Sequence, residues 1–301
     1  MMDHAPDPSA PHGPAVISCA LTGVLTDPKR HPVPVTPEEM ALEAARAWDE
    51  GATVVHLHFR DQTPGLGHLP TWDPQVASDI AAAIRARVPE MLLNFSTGVV
   101  GPDISGPVAC LRAARPEIAA LNAGSLNYLK TRANGEWAWL PMLFDNPVEK
   151  IAGFVEVMDE CGVVPECECF DTGIVRSVGM FAAAGLLRSP VHVSLVMGVD
   201  SGMPADPRWL PLLIEQLPPG AQWQTIGIGR QEVWALHRRA AELGGHLRTG
   251  FEDTFYLEDG SRAAHNGVLV AELVRIARAA GRDVATAAQT RAAFGLKASA
   301  P

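Results

Sequence analysis

Short apolar runs alternate with amphipathic stretches eight times along this 301-residue chain, and that alternation restricts its fold more than any other feature. The runs are 15–23 (AVISCALTG), 53–61 (TVVHLHFRD), 91–98 (MLLNFSTG) and 117–125 (EIAALNAGS), followed by 163–171 (VVPECECFD), 191–198 (VHVSLVMG), 222–230 (QWQTIGIGR) and 246–253 (HLRTGFED). Each has the length and apolar content of a strand, and the stretches between them carry helical periodicity. Thr36-Pro37-Glu38-Glu39 supplies a helix cap, a proline for the first helical position and acids for the first turn. Asp73-Pro74, Asn146-Pro147 and Asp206-Pro207 repeat the cap-and-proline device, and Gly51, Gly162, Gly244 and Gly245 mark helix ends.

Strands that alternate with helices imply an α/β fold, a parallel sheet covered by helices. Eight units is the number that closes a (β/α)8 TIM barrel. An open, doubly wound sheet is the alternative, but no Gly-x-Gly-x-x-Gly follows the first strand to support it. No break in composition divides the chain. The expectation is therefore one barrel domain over 14–301, behind a loose tail at 1–13 rich in Pro, Ala, His and Asp.

The net charge of −10 argues against a nucleic-acid or anionic membrane surface, although a local basic pocket is enough for a small anionic substrate. Five scattered cysteines (Cys19, Cys110, Cys161, Cys167, Cys169) form no disulfide framework, which fits a reducing cytoplasm. Cys167 and Cys169 read as small packing residues. The tail has none of the features of a signal peptide, and no run of about 18 apolar residues occurs. A soluble, cytoplasmic protein is expected.

Function in a barrel gathers at the C-terminal ends of the strands. This chain places its polar residues there. The second strand carries His56 and His58, the third Asn94, Ser96 and Thr97, the fourth Asn122 and Ser125, the fifth Glu166, Glu168 and Asp171. The eighth carries His246, Arg248, Glu252 and Asp253. Side chains two apart on a strand share a face, so His56 and His58 project together and can hold a divalent metal. Catalytic zinc typically keeps three protein ligands and one open position. Glu252 is the first choice for the third ligand, because the second and eighth strands flank the first in a closed barrel; Glu166 and Glu168 are alternatives. Arg248 shares the parity of Glu252, and Asp253 follows at the strand end, free to act as a base.

From about residue 15 to 297 the chain resembles the β-keto acid cleavage enzymes. The matching segments are PVTPEE (34–39), HLHFRD (56–61), NFSTG (94–98), LNAGSLNY (121–128), ECFDTG (168–173), SLVMGV (194–199), GIGR (227–230) and GGHLRTGFED (244–253). The resemblance implies a (β/α)8 barrel that binds zinc and uses acetyl-CoA, converting a β-keto acid and acetyl-CoA into acetoacetate and a new acyl-CoA. It matches His56, His58 and Glu252 to the metal ligands, and Asp253, Arg248 and Ser96 to residues of the chemistry. A further hydroxyl-bearing position falls at Ser125. It also implies a homotetramer or another homo-oligomer. One departure stands out: an acid that contacts the cationic amino group of the aminohexanoate substrate falls at Val24 here, which argues against a cationic substrate.

These roles suit the reaction. A divalent ion with an open position polarises a ketone oxygen, and two histidines with a carboxylate also accept manganese, cobalt or iron. Arg248 would stabilise developing negative charge, Asp253 would remove an α-proton, and Ser96 would donate a hydrogen bond to a substrate oxygen. Gly227, Gly229 and Arg230, before the next helix, read as a cradle for a phosphate of coenzyme A. The alternative function is a metal-dependent hydrolase of amidohydrolase type. It needs a further metal-binding residue on the fourth to sixth strands, where only His192 offers itself.

Overall fold

The computed structural model describes residues 12–296. Its strands are β1 (Ile17–Ala20), β2 (Val54–Leu57), β3 (Leu92–Phe95), β4 (Ile118–Asn122), β5 (Leu126–Tyr128), β6 (Met142–Phe144), β7 (Val164–Cys169), β8 (His192–Met197), β9 (Gln222–Gly227) and β10 (His246–Thr249). Eight of them close a barrel in the order β1-β10-β9-β8-β7-β4-β3-β2, every neighbouring pair parallel. The (β/α)8 expectation holds, with each run of the sequence supplying one barrel strand. The expected tail at 1–13 lies, apart from its last two residues, outside the described residues.

The helices α1 (Pro37–Asp49), α2 (Pro74–Arg87), α3 (Ser105–Ala114), α4 (Val148–Cys161) and α5 (Thr172–Ala183) follow β1 to β7 around the barrel, and α6 (Leu210–Ile214), α7 (Val233–Glu242), α8 (Asn266–Ala279) and α9 (Ala287–Ala293) complete it. Thr36 and Glu39 form the reciprocal capping box of α1, and the Asp73 side chain accepts from the Gln75 amide at the start of α2. Asn146 does not cap α4. Its amide donates to Ser125 Oγ and its Nδ2 to the Gly124 carbonyl, so Pro147 takes the cap position. Asp206 caps only a single 3-10 turn, Pro207–Trp209, which leads into the short α6.

Alternation along the strands sorts side chains into two cores. Ile17, Cys19, Val55, Leu57, Leu93, Phe95, Cys167, Cys169, Val193 and Leu195 are all buried in the large cluster shared with the helices. A second cluster joins Val16, Val54, Leu92 and Ile118 to Ala285 and Phe294, closing the N-terminal end of the barrel beside α9. One step further up, residues of the same parity form a polar layer. Asn94 Nδ2 donates to Glu166 Oε2 (3.0 Å), Ser194 Oγ to Glu166 Oε1 (2.9 Å) and Gln224 Nε2 to Ser194 Oγ (2.9 Å). Leaving one such buried group unpaired costs about 1–3 kcal/mol; these bonds engage both Glu166 oxygens, while Asn94 Oδ1 has no partner among the described residues.

The segment 126–145 contains the antiparallel hairpin β5–β6. One sequence expectation changes. The last strand ends at Thr249 rather than at residue 253, because Gly250 leaves extended geometry at φ +140° and a Cβ there would lie 2.1 Å from the Ala20 carbonyl oxygen. The Asp253 and Thr254 amides then donate back to the Gly250 carbonyl (2.8 and 2.9 Å). Glu252 therefore reaches the barrel mouth through a tight turn and not through strand parity. Among the described residues no helix is long and apolar enough to cross a membrane.

Gly250→Ala should destabilise the protein by at least about 3 kcal/mol, combining backbone strain with overpacking against β1, as read by urea denaturation. A second expectation concerns His237, buried on α7 with Nδ1 3.2 Å from Thr225 Oγ1 and its pKa pushed down to about 3 by burial. The folded state keeps this ring neutral while the unfolded chain protonates it first. Its contribution is full above the ordinary histidine pKa and is lost as pH falls towards 3. Between about pH 7 and pH 5 the wild type should lose about 2 kcal/mol more stability than His237→Gln.

Candidate active site

β1 lies between β2 and β10 in the barrel, so the ends of those two strands face each other across its mouth. His56 sits near the end of β2 and His58 just beyond it; Glu252 comes from the turn after β10. His58 Nε2 is 3.3 Å from Glu252 Oε1 and His56 Nε2 is 3.7 Å from Glu252 Oε2. One ligand atom from each of the three residues lies within 4.8 Å of the others. Gly23 makes room for this carboxylate: a Cβ there would come within 2.9 Å of Glu252 Cγ.

Beneath them Arg248, only 2 % exposed, faces three carboxylates. Its Nη2 donates to Glu252 Oε1 (2.9 Å) and Asp253 Oδ1 (3.1 Å), its Nε to Asp253 Oδ2 (3.2 Å) and its Nη1 to Glu168 Oε1 (3.2 Å). One positive charge against three buried carboxyls leaves an excess of negative charge. Burial, relieved only in part by Arg248, pushes Asp253 and Glu168 up to about 7. Glu252 goes the other way: burial works against ionisation, but His58, 3.3 Å from its Oε1, and Arg248 hold its carboxyl well below the usual range. Burial and the Arg248 charge keep His56 well below the ordinary histidine value, hence neutral with a free lone pair.

The residues fit a divalent cation. His56 Nδ1 and Glu252 Oε2 are buried without a hydrogen-bond partner. A dication would give the carboxylate oxygen a partner and offset the excess negative charge, and two imidazoles with one carboxylate form a donor set of the catalytic zinc type. Glu166 and Glu168, the alternative ligands, are engaged elsewhere: Glu166 with Asn94 and Ser194, Glu168 with Arg248.

A cavity of about 310 Å³ opens over this cluster and is lined by His58, Ser96, Glu168, Arg248 and Glu252 together with Tyr128, Met142 and Phe144 of the β5–β6 hairpin. Cavities of about 590 and 720 Å³ lie elsewhere and include neither His56 nor His58. Ser96, buried on β3's extension, faces the cavity, and its Oγ accepts from the Gly98 amide at 3.3 Å. Ser125 is not among the lining residues; it is exposed, and its Oγ accepts the Asn146 amide (2.7 Å), which fastens the base of the hairpin.

The phosphate cradle expected at Gly227, Gly229 and Arg230 is also corrected. The Gly229 amide donates to the Asp253 carbonyl (3.2 Å) and the Arg230 amide to Glu232 Oε1 (3.0 Å), so a carboxylate already occupies the place of an anion. Gly227 is needed for packing, since a Cβ there would lie 2.8 Å from Val233 Cβ. The Arg230 side chain instead reaches the Tyr256 hydroxyl at 2.6 Å on the exposed rim. His192, which the hydrolase alternative required, begins β8 and stacks on Phe294 at 4.2 Å, at the closed end of the barrel. Sequence reasoning missed the pairing of Glu168 with Arg248, although its two-residue spacing from Glu166 marks the same inward face.

Residues 14–296 match the family model of the beta-keto acid cleavage enzymes. The chain belongs to that family. It is 33% identical over 290 residues to a 3-keto-5-aminohexanoate cleavage enzyme of Fusobacterium nucleatum, a match covering 94% of this chain and 98% of that protein. It is 32% identical to a 3-oxoadipate:acetyl-CoA acetyltransferase of Cupriavidus necator, covering 94% of this chain and 95% of the relative. Among solved structures, apo ObcA superposes with a TM-score of 0.72 at 22% identity, over 88% of this chain and 65% of that one, which supports the barrel fold.

Removing the guanidinium should leave three buried carboxyls uncompensated. Arg248→Met is expected to cost about 3–5 kcal/mol of stability in metal-free protein. A clearly smaller loss is expected with excess zinc or cobalt, read as paired urea denaturation curves.

Proposed function

We propose that this protein is a zinc-dependent β-keto acid cleavage enzyme that exchanges acyl groups with acetyl-CoA. The observation that carries the reading is the convergence of His56, His58 and Glu252 beside a buried Arg248 that holds Asp253 and Glu168, all at the C-terminal mouth of one barrel. The family match and the names of its relatives, which include an acetyl-CoA acetyltransferase, support the choice of reaction. The hydrolase alternative loses its support with His192 at the opposite end of the barrel.

When bound, the ion supplies Lewis acidity to the ketone and carboxylate oxygens of the keto acid. His56, His58 and Glu252 hold it. Asp253 takes a proton from the carbon between ketone and carboxylate; a carboxyl raised to about 7 is a stronger base for that task than an ordinary one. The resulting carbanion attacks the thioester carbonyl of acetyl-CoA, forming a C–C bond and expelling the coenzyme A thiolate. The thiolate then attacks the original ketone carbon. The bond from that carbon to the carboxylate-bearing fragment breaks, giving acyl-CoA, and the fragment leaves as acetoacetate after Asp253 returns the proton. Atoms and charge balance without an oxidant or added water.

Arg248 fixes Asp253 through two hydrogen bonds and lies within reach of developing oxyanion charge. Ser96 donates its hydroxyl hydrogen to a substrate oxygen. Ser125 drops out of the proposed catalytic set because it is occupied outside the cavity. Arg230 enters the reading only through its exposed side chain, as a rim cation for coenzyme A phosphate. A cytoplasmic location, consistent with the free cysteines, and a homo-oligomeric assembly belong to the same proposal.

Two variants separate metal binding from chemistry. His56→Ala should lose bound zinc, measured by elemental analysis, and acetoacetate formation together. Asp253→Asn should retain the metal and lose about 10²–10⁴-fold in turnover. Loss of metal in the second variant would assign Asp253 to the ligand set and remove it as the base.

A further inference from the structure

Away from the metal donors, the lining of the cavity changes character. Its ionisable acid, guanidinium and imidazole members are His58, Glu168, Arg248 and Glu252, and all four belong to the cluster already described. The remaining lining side chains are uncharged, and most are apolar. They come from around the barrel mouth: Val24 after β1, Phe144 from the hairpin, Phe170 after β7, Val199 after β8 and Ile228 after β9. Phe144 and Phe170 meet edge to face at 6.2 Å, giving this part of the cavity an aromatic wall. Asp200, whose charge acts on Tyr128, is exposed and lies outside the lining.

We infer that the β-keto acid taken by this site carries an uncharged alkyl or aryl tail on its ketone side. This rests on the exchange reaction proposed above. The carboxylate and ketone are the polar end of such a substrate and belong with the metal donors and Arg248. The tail must then occupy the uncharged part of the lining. An ammonium or carboxylate placed there would lose its hydration without gaining a counter-charge, whereas an alkyl or aryl group is stabilised by every apolar contact. At about 310 Å³ the cavity is at the lower end of the range of ligand pockets, which favours a compact tail over a long chain.

The experiment uses three β-keto acids of equal length, with a plain alkyl tail, a terminal ammonium and a terminal carboxylate. Each is titrated calorimetrically into the metal-replete protein without acetyl-CoA, and each is then assayed for acyl-CoA formation with it. The alkyl acid should bind at least about 30-fold more tightly than either charged analogue, a discrimination in line with the cost of burying an unpaired charge. Equal or tighter binding of a charged analogue overturns the inference. Preferential binding of the alkyl acid with no acyl-CoA from any of the three would sink the exchange reaction and leave the tail assignment standing. Turnover that favours a charged tail would do the reverse, and failure of all three to bind overturns both.

Val24→Glu, and independently Met142→Glu on the hairpin, should each raise the affinity for the aminated acid relative to the alkyl acid by at least about 10-fold, since a counter-charge then faces the tail. If neither variant, folded by circular dichroism, moves that ratio, the tail does not lie in this part of the cavity.

Discussion

The contact on which the rest of the site depends is the buried guanidinium of Arg248 against Glu252, Asp253 and Glu168. A buried carboxylate is tolerated only when paired, and here one cation serves three. The division is unequal. Glu252, which also faces two imidazoles, is held ionised, whereas Asp253 and Glu168 are pushed up to about 7. A ligand-type carboxylate and a base-type carboxyl thus arise at adjacent positions of one turn, separated by environment rather than by residue type.

The barrel supplies the rigidity that this charge arrangement requires. An apolar plug of Val16, Val54, Leu92 and Ile118 fills the closed end, and the Asn94–Glu166–Ser194–Gln224 layer lies above it. Asn94 is the register partner of His56 across β2 and β3, so the polar layer directly adjoins the histidine pair. Each group in that layer would be costly if left unpaired, and the bonded chain ties four strands, β3, β7, β8 and β9, into one arrangement. The turn at Gly250 adds the final element, because only a residue without a Cβ can pass so close to Ala20 and still bring both acids over Arg248.

Much of this was legible in the residues. The eight runs are the eight barrel strands, and period-two spacing placed His56 with His58, Glu166 with Glu168 and Asn94 with Ser96 on inward faces. The caps at Thr36 and Asp73 were equally plain, because a side chain bonding a backbone amide two or three residues away is a local event. The errors fell where distant partners decide. Asn146 looks like a cap but bonds Gly124 and Ser125; Gly229 and Arg230 look like a phosphate cradle but have their amides taken by Asp253 and Glu232.

The sequence by itself determined the fold class, the inward pair of histidines and the concentration of polar residues at one end of the barrel, since these follow from strand periodicity and strand count. Only the tertiary structure decided how Glu252 reaches the histidines, which carboxyls share Arg248 and which side chains wall the cavity. Those features depend on a turn that passes close to a neighbouring strand and on a hairpin folded over the mouth, and contacts between segments far apart in the chain leave no periodic trace in it.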